Sequence, residues 1–243
     1  MLVYNGKVVT SPADKWVQPP IGPYTIRLKY RDGFTPTFTK GTGVLFSKSQ
    51  NIWDLTYTNA DWSDLLRAHY SLREVIAVGD TSGVTNMYRM FLDCDGLTSV
   101  PWFDTSNVTN MGGMFYSCLN LTAVPFFDTS NVTSMEGMLW RCYNLTSVPL
   151  FDTSNVTNMR SMLYGCEKIT SIPLFDTSKV VVIDNMCYSC NLVETGALAL
   201  YQQASGQEVP PIMYSGCFMY CGSNTTTGAA ELALIPSSWG GLA

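Results

Sequence analysis

Positive charge is scarce in this chain. Lys and Arg number 14 against 19 Asp and Glu in 243 residues, for a net charge of −5. The basic residues are scattered, whereas a nucleic-acid partner needs them clustered against its phosphates. Histidine occurs once, at His69, which leaves little for a Cys-His or Ser-His-Asp arrangement. No run approaches the ~18–20 apolar residues of a membrane span, so membrane insertion is not expected. The start, "MLVYNGKVVTSPADKW", has no charged region, apolar run and small-residue cleavage site in succession. As written, the chain is expected to be made in the cytoplasm and to stay soluble there. The one candidate phosphate loop, "GTG" at Gly41–Gly43, is too short a signal to assign.

What is present is repetition. Hydrophobic residues reach 46%, enough for a packed core. The nonapeptide "FDTSNVTNM" starts at Phe103, recurs with one change at Phe127, intact at Phe151, and in a worn form at Phe175. Cys94, Cys118, Cys142, Cys166 and Cys190 keep the same interval of 24, as do Asp80 to Asp176, Met90 to Met186 and Pro101 to Pro173. A fixed period of this size marks a stack in which each unit buries its apolar face against its neighbours.

Within one unit, "DTSN" suits a turn and a helix N-cap. Val108, Met111, Met114, Phe115 and Cys118 then share one stripe at helical spacing, interrupted by Gly112 and Gly113. "LTAVPFF" follows as a short strand whose Leu121, Val124 and Phe126 are expected to enter the core, kept short by Pro125. "WSDLLRAHYSLREVI" aligns as a degenerate first unit with His69 at the cysteine position. "CFMYCG" and "LALIP", the latter on the strand position, align as a last unit, after an inserted helix "GALALYQQA". Residues 1–58 read instead as short β-type runs between Gly, Pro and Asn turns.

The unit "FDTSNVTNMGGMFYSCLNLTAVP" resembles the BspA-type surface-protein repeat, a leucine-rich-repeat relative, over residues 62–194 closely and 195–236 loosely. The resemblance implies a non-enzymatic surface protein used for adhesion and binding. The start "YNGKVVTSPADKWV" is similar to short stretches on tail- or fibre-associated proteins of gut phages. The expected fold class is therefore α/β: a leucine-rich-repeat-like solenoid of about six 24-residue units, each a short helix plus a short parallel strand. A small N-terminal β domain (1–58), read as a docking module, precedes the solenoid (59–194), and an inserted helix with a degenerate capping repeat follows (195–243). The expected role is a virion component, assembled in the bacterial cytoplasm, with protein partners in the particle and a host-surface glycan or protein as ligand. The alternative is a secreted bacterial cell-surface adhesin whose leader is missing. A glycan hydrolase comes third, since no acidic pair stands apart from the aspartate row.

The residue two before each cysteine points away from the core stripe: Tyr116, Trp140, Tyr164 and Tyr188. An aromatic row at repeat spacing can bind sugar rings or a protein, or its members can pack on one another. The neighbours at Gly112, Glu136, Arg160 and Asp184 vary, as decoration does on a binding solenoid. No cofactor or metal is expected. Cys187, Cys190, Cys217 and Cys221 could close a zinc tetrahedron, but repeat alignment places them in the core. The aspartate row reads as capping of turns and helix starts rather than cation binding. Asn-x-Thr occurs at Asn107, Asn120, Asn131, Asn144, Asn155 and Asn224 because the repeat recurs, so these read as turn residues and not glycan sites.

Overall fold

The computed structural model describes residues 2–4, 7–9, 22–47 and 50–242. Strands β1 (Leu2–Tyr4) and β2 (Lys7–Val9) pair antiparallel. Most of the stretch behind the phage-like resemblance, residues 4–17, lies outside the described residues. Strands β3 (Thr25–Tyr30), β4 (Thr42–Ser47), β5 (Ile52–Thr56) and β6 (Leu72–Val78) form one antiparallel sheet in the order β4-β5-β3-β6. Strand β6 lies inside the first repeat unit, so this sheet runs directly into the stack. Arg27 is buried in β3 and makes a bidentate pair with Asp54 of β5 at 2.8 Å, which satisfies its charge.

From there the chain stacks coil upon coil. Isolated parallel bridges run Asp61–Asn86–Asn110–Ser134–Asn158–Val182–Met213. The expected helix in each unit is absent: residues 87–95 and their counterparts form successive turns. Backbone bonding explains the difference. Met111, Gly113, Phe115 and Ser117 donate their N–H groups at 2.7–3.1 Å to Ser134, Glu136, Met138 and Trp140 of the next coil. Only the alternate residues, Met114, Tyr116 and Cys118, bond back within the coil, each to the carbonyl three residues before. A helix would keep all these donors to itself and leave the next coil unpaired.

This alternation requires two left-handed residues per coil, four apart: Gly113 and Ser117, Gly137 and Arg141, Ser161 and Gly165, Asn185 and Ser189. Such conformations end any helix. The expected strand is also replaced, because no named strand lies between β6 and the C-terminal helices and the parallel contacts are single bridges.

The repeated side chains line up in buried columns. Val108, Val132, Val156 and Val180 form one, the methionines two more, and Phe103, Phe127, Phe151 and Phe175 another. Phe91 and Phe115 stack at 5.4 Å with rings parallel to 3°. Polar repeat residues bond between coils. Thr105, Thr129 and Thr153, all buried, donate their hydroxyls to Asp128, Asp152 and Asp176 carbonyls at 2.8 Å. Asn107, Asn131 and Asn155 donate at 2.7–2.8 Å to Ser82, Ser106 and Ser130 carbonyls of the preceding coil. The aspartates close Asx turns, as when Asp104 Oδ1 accepts from the Ser106 N–H at 2.9 Å, and do not cap helices.

The far end is closed by α1 (Ala197–Ser205), the inserted helix, and by α2 (Thr226–Leu232), capped by Thr225. "LALIP" was expected to form a strand, but its Leu232 ends α2. Trp239 stacks on Tyr214 at 4.4 Å and lies over Phe218.

Two substitutions test the turn alternation. Gly137→Ala places a Cβ at φ +59° and is expected to destabilise by about 1–2 kcal/mol. Ser117→Gly relieves the same conformation at φ +57° and is expected to be neutral or slightly stabilising. Urea unfolding of both variants beside the native chain measures the contrast.

Candidate functional site

Coil stacking carries each aromatic of the row onto the next. Tyr116 and Trp140 lie 4.1 Å apart with rings 9° from parallel, Trp140 and Tyr164 5.6 Å, and Tyr164 and Tyr188 4.7 Å at 1°. Tyr220 closes the column edge-on at 5.6 Å. The spacing follows the ~4.8 Å step between paired backbones. All four residues are half-buried. Their faces are turned to one another, so the inner members present ring edges outward. A Cβ at left-handed Gly137 would lie 3.5 Å from the Tyr116 ring, an ordinary contact, and Ser161 and Asn185 hold the equivalent left-handed positions farther along the column.

Two guanidiniums rest on rings beside the column: Arg89 on Tyr88 at 4.6 Å and Arg141 on Trp140 at 4.1 Å. A recess of about 210 Å³ opens there, lined by Tyr88, Arg89, Tyr116, Glu136, Trp140 and Ser161 among others. Burial raises the Tyr116 hydroxyl above its ordinary pKa, while Arg141 and Arg89 pull it back. Glu136 accepts from the Asn158 amide at 3.0 Å. The recess therefore offers an aromatic wall, the Arg89 guanidinium and a carboxylate together, a set suited to hydroxyl-rich or peptide ligands.

The residues weighed for catalysis and metals are engaged elsewhere. His69 is half-buried and its Nδ1 meets the Tyr30 hydroxyl at 2.6 Å. Burial holds its pKa down at about 4. All eight cysteines are buried and unpaired. Cys118, Cys142, Cys166 and Cys190 each donate Sγ–H to a carbonyl of the preceding coil at 3.1–3.2 Å, and burial raises every one of these thiols. Among the described residues no group of three His, Cys, Asp or Glu is placed to hold a metal ion, and no helix is long and apolar enough to cross a membrane.

A second column escaped the sequence reading. Trp102, Phe126, Leu150 and Leu174 are exposed by 62%, 61%, 58% and 55%. Phe126 was expected in the core, but the buried position is Phe127. After Pro149 and Pro173 the chain turns a tight corner: Phe151 N–H bonds to the Pro149 carbonyl and Phe175 N–H to that of Pro173, two residues back. The residue at the corner projects outward. The signal was legible as a large apolar residue after each of Pro101, Pro125, Pro149 and Pro173, but apolarity alone did not tell an outer column from a core one.

Residues 37–123 and 86–200 match the model of the family described as "Mycoplasma protein of unknown function, DUF285". No curated protein matches. Among solved structures, a leucine-rich repeat protein from Eubacterium ventriosum ATCC 27560 is similar at 22% identity with a TM-score of 0.41, covering 65% of this chain and 40% of that one. The match thus spans less than half of that protein's length.

The His69 environment gives a pH dependence of defined sign. Its folded pKa is depressed from 6.5 to about 4, so the unfolded chain takes up the proton first as pH falls. The stabilisation is complete above pH 6.5 and is lost progressively down to about pH 4. Thermal melts across that window are expected to show a falling Tm, and His69→Gln is expected to flatten the fall.

Proposed function

Because the chain belongs to the family described as "Mycoplasma protein of unknown function, DUF285", we propose that it is a non-enzymatic recognition protein of the BspA-like kind, working at a bacterial surface. Its coils form a solenoid of about six units. Tyr116, Trp140, Tyr164 and Tyr188 bind a surface glycan or protein, with Arg89, Arg141 and Glu136 fixing its orientation. The observation that carries this reading is the constant stacked column with changing residues beside it, Gly112, Glu136, Arg160 and Asp184. Residues 62–194, which resemble BspA-type repeats closely, fall inside the residues matched by the family model. A virion role draws its support from residues 4–17, whereas the family match covers the repeats at residues 37–123 and 86–200, so the surface reading is preferred.

Glycan-array and whole-cell binding by the native protein and by Trp140→Ala with Tyr164→Ala test it. Loss of at least about tenfold in affinity, with far-UV circular dichroism unchanged, is the expected outcome. Equal binding by the two proteins would dismiss the aromatic column as a ligand site.

A further inference from the structure

We propose that Trp102, Phe126, Leu150 and Leu174, with the carboxylate column Asp104, Asp128, Asp152 and Asp176 beside them, form a docking strip for a cationic amphipathic helix of a partner protein. The strip is separate from the aromatic column, and its test does not depend on that site.

The four apolar residues occupy one register position on successive coils, and each is more than half exposed. They form a contiguous outward apolar ridge, the kind of surface that is often functional on a soluble protein. The ridge has ends. One coil position beyond each, Val78 of β6 and Leu198 of α1 are partly buried against the core. Four coils at ~4.8 Å per step give a ridge about 14 Å long.

One flank is neutral. The segments "LTSVP", "LTAVP", "LTSVP" and "ITSIP" that precede the ridge residues contain no charge. The other flank is anionic. Phe103, Phe127, Phe151 and Phe175 turn inward, and of the aspartates two residues beyond each ridge residue Asp128, Asp152 and Asp176 are exposed and Asp104 half-buried. Hydrogen bonds from Ser154 and Ser178 hold the Asp152 and Asp176 carboxyls below their ordinary pKa, so both are ionised at neutral pH. Lys179, at the far end, is drawn off to Asn155 Oδ1 at 2.7 Å.

This pattern selects its occupant. A helix turns once per 5.4 Å, close to the coil step, so apolar residues three and four apart stay in phase with the ridge over three turns. An extended strand repeats a face every ~6.6 Å and falls out of phase. Lys or Arg along one edge of that helix would meet the aspartates. A second copy of this chain would bring like charge to the strip, and the ridge falls short of the roughly 800 Å² per partner of a stable interface. An anionic lipid surface meets the same repulsion.

The experiment uses the full chain and a 14-residue amphipathic Leu/Lys peptide, with a Leu/Glu peptide of equal pattern as control, followed by calorimetry at two salt concentrations. The expected result is binding of the Leu/Lys peptide alone, weakened at higher salt. Phe126→Ser with Leu150→Ser is expected to weaken it at least about tenfold. Asp128→Asn with Asp152→Asn keeps the turn-closing oxygen, and is expected to weaken binding several-fold and flatten its salt dependence. Binding that survives both variants, or equal binding of the Leu/Glu peptide, overturns the proposal. So does a dimer in light scattering that the ridge variant dissociates, which would name a second copy as the occupant. Ridge-dependent binding to phosphatidylserine vesicles without peptide binding overturns it in favour of lipid.

Discussion

The sharing of backbone donors between coils is the constraint on which the rest of this molecule depends. Odd-numbered residues of the Met111–Ser117 stretch donate to the next coil and even-numbered ones donate within their own. Each net backbone bond contributes only about 0.5–1.5 kcal/mol, but leaving its buried partner unmade costs more. With every coil both giving and receiving, removal of one coil would orphan groups on two others. The left-handed residues, each unfavourable by about 1–2 kcal/mol when not glycine, persist because this pairing demands them. Arg141 and Ser189 adopt that conformation for the same reason as Gly113.

Once the coils are in register, identical side chains must coincide. Inside, that produces the valine, methionine, cysteine and phenylalanine columns, whose members lose almost all contact with water. Outside, it produces two further columns of different character. One is collapsed upon itself, its aromatic faces satisfied by one another and flanked by Arg89 and Arg141. The other stands open at the corner after each proline, with carboxylates alongside. The first is a self-stacked aromatic column, and the second an uncovered apolar strip.

The ends of the stack solve the problem that a repeat cannot solve alone, an unpaired terminal coil. At the start, β6 belongs both to the antiparallel sheet through β3 and to the stack through the Glu74–Ser99 bridge. His69 replaces cysteine there and meets Tyr30 from the sheet, so the capping position carries a side chain that reaches across. At the finish, the carbonyl of Trp239 accepts the Phe218 N–H at 2.8 Å, and the Trp239 ring covers Tyr214 and Phe218.

Much was legible from spacing alone: the period of 24, the burial of every ladder cysteine, the turn role of the aspartates, the inserted helix, and the alignment of Tyr116, Trp140, Tyr164 and Tyr188. These follow from chemistry that each residue carries with it wherever it sits, and from a period that forces copies into columns. The helix in each unit and the inward course of Phe126 were misread, for one physical reason. Apolar spacing reports which side chains seek cover, but it does not say whether a backbone N–H bonds within its own turn or to the coil above. That choice belongs to the assembled stack, and it turned a helical stripe into alternating turns and sent one apolar column outward at the proline corners.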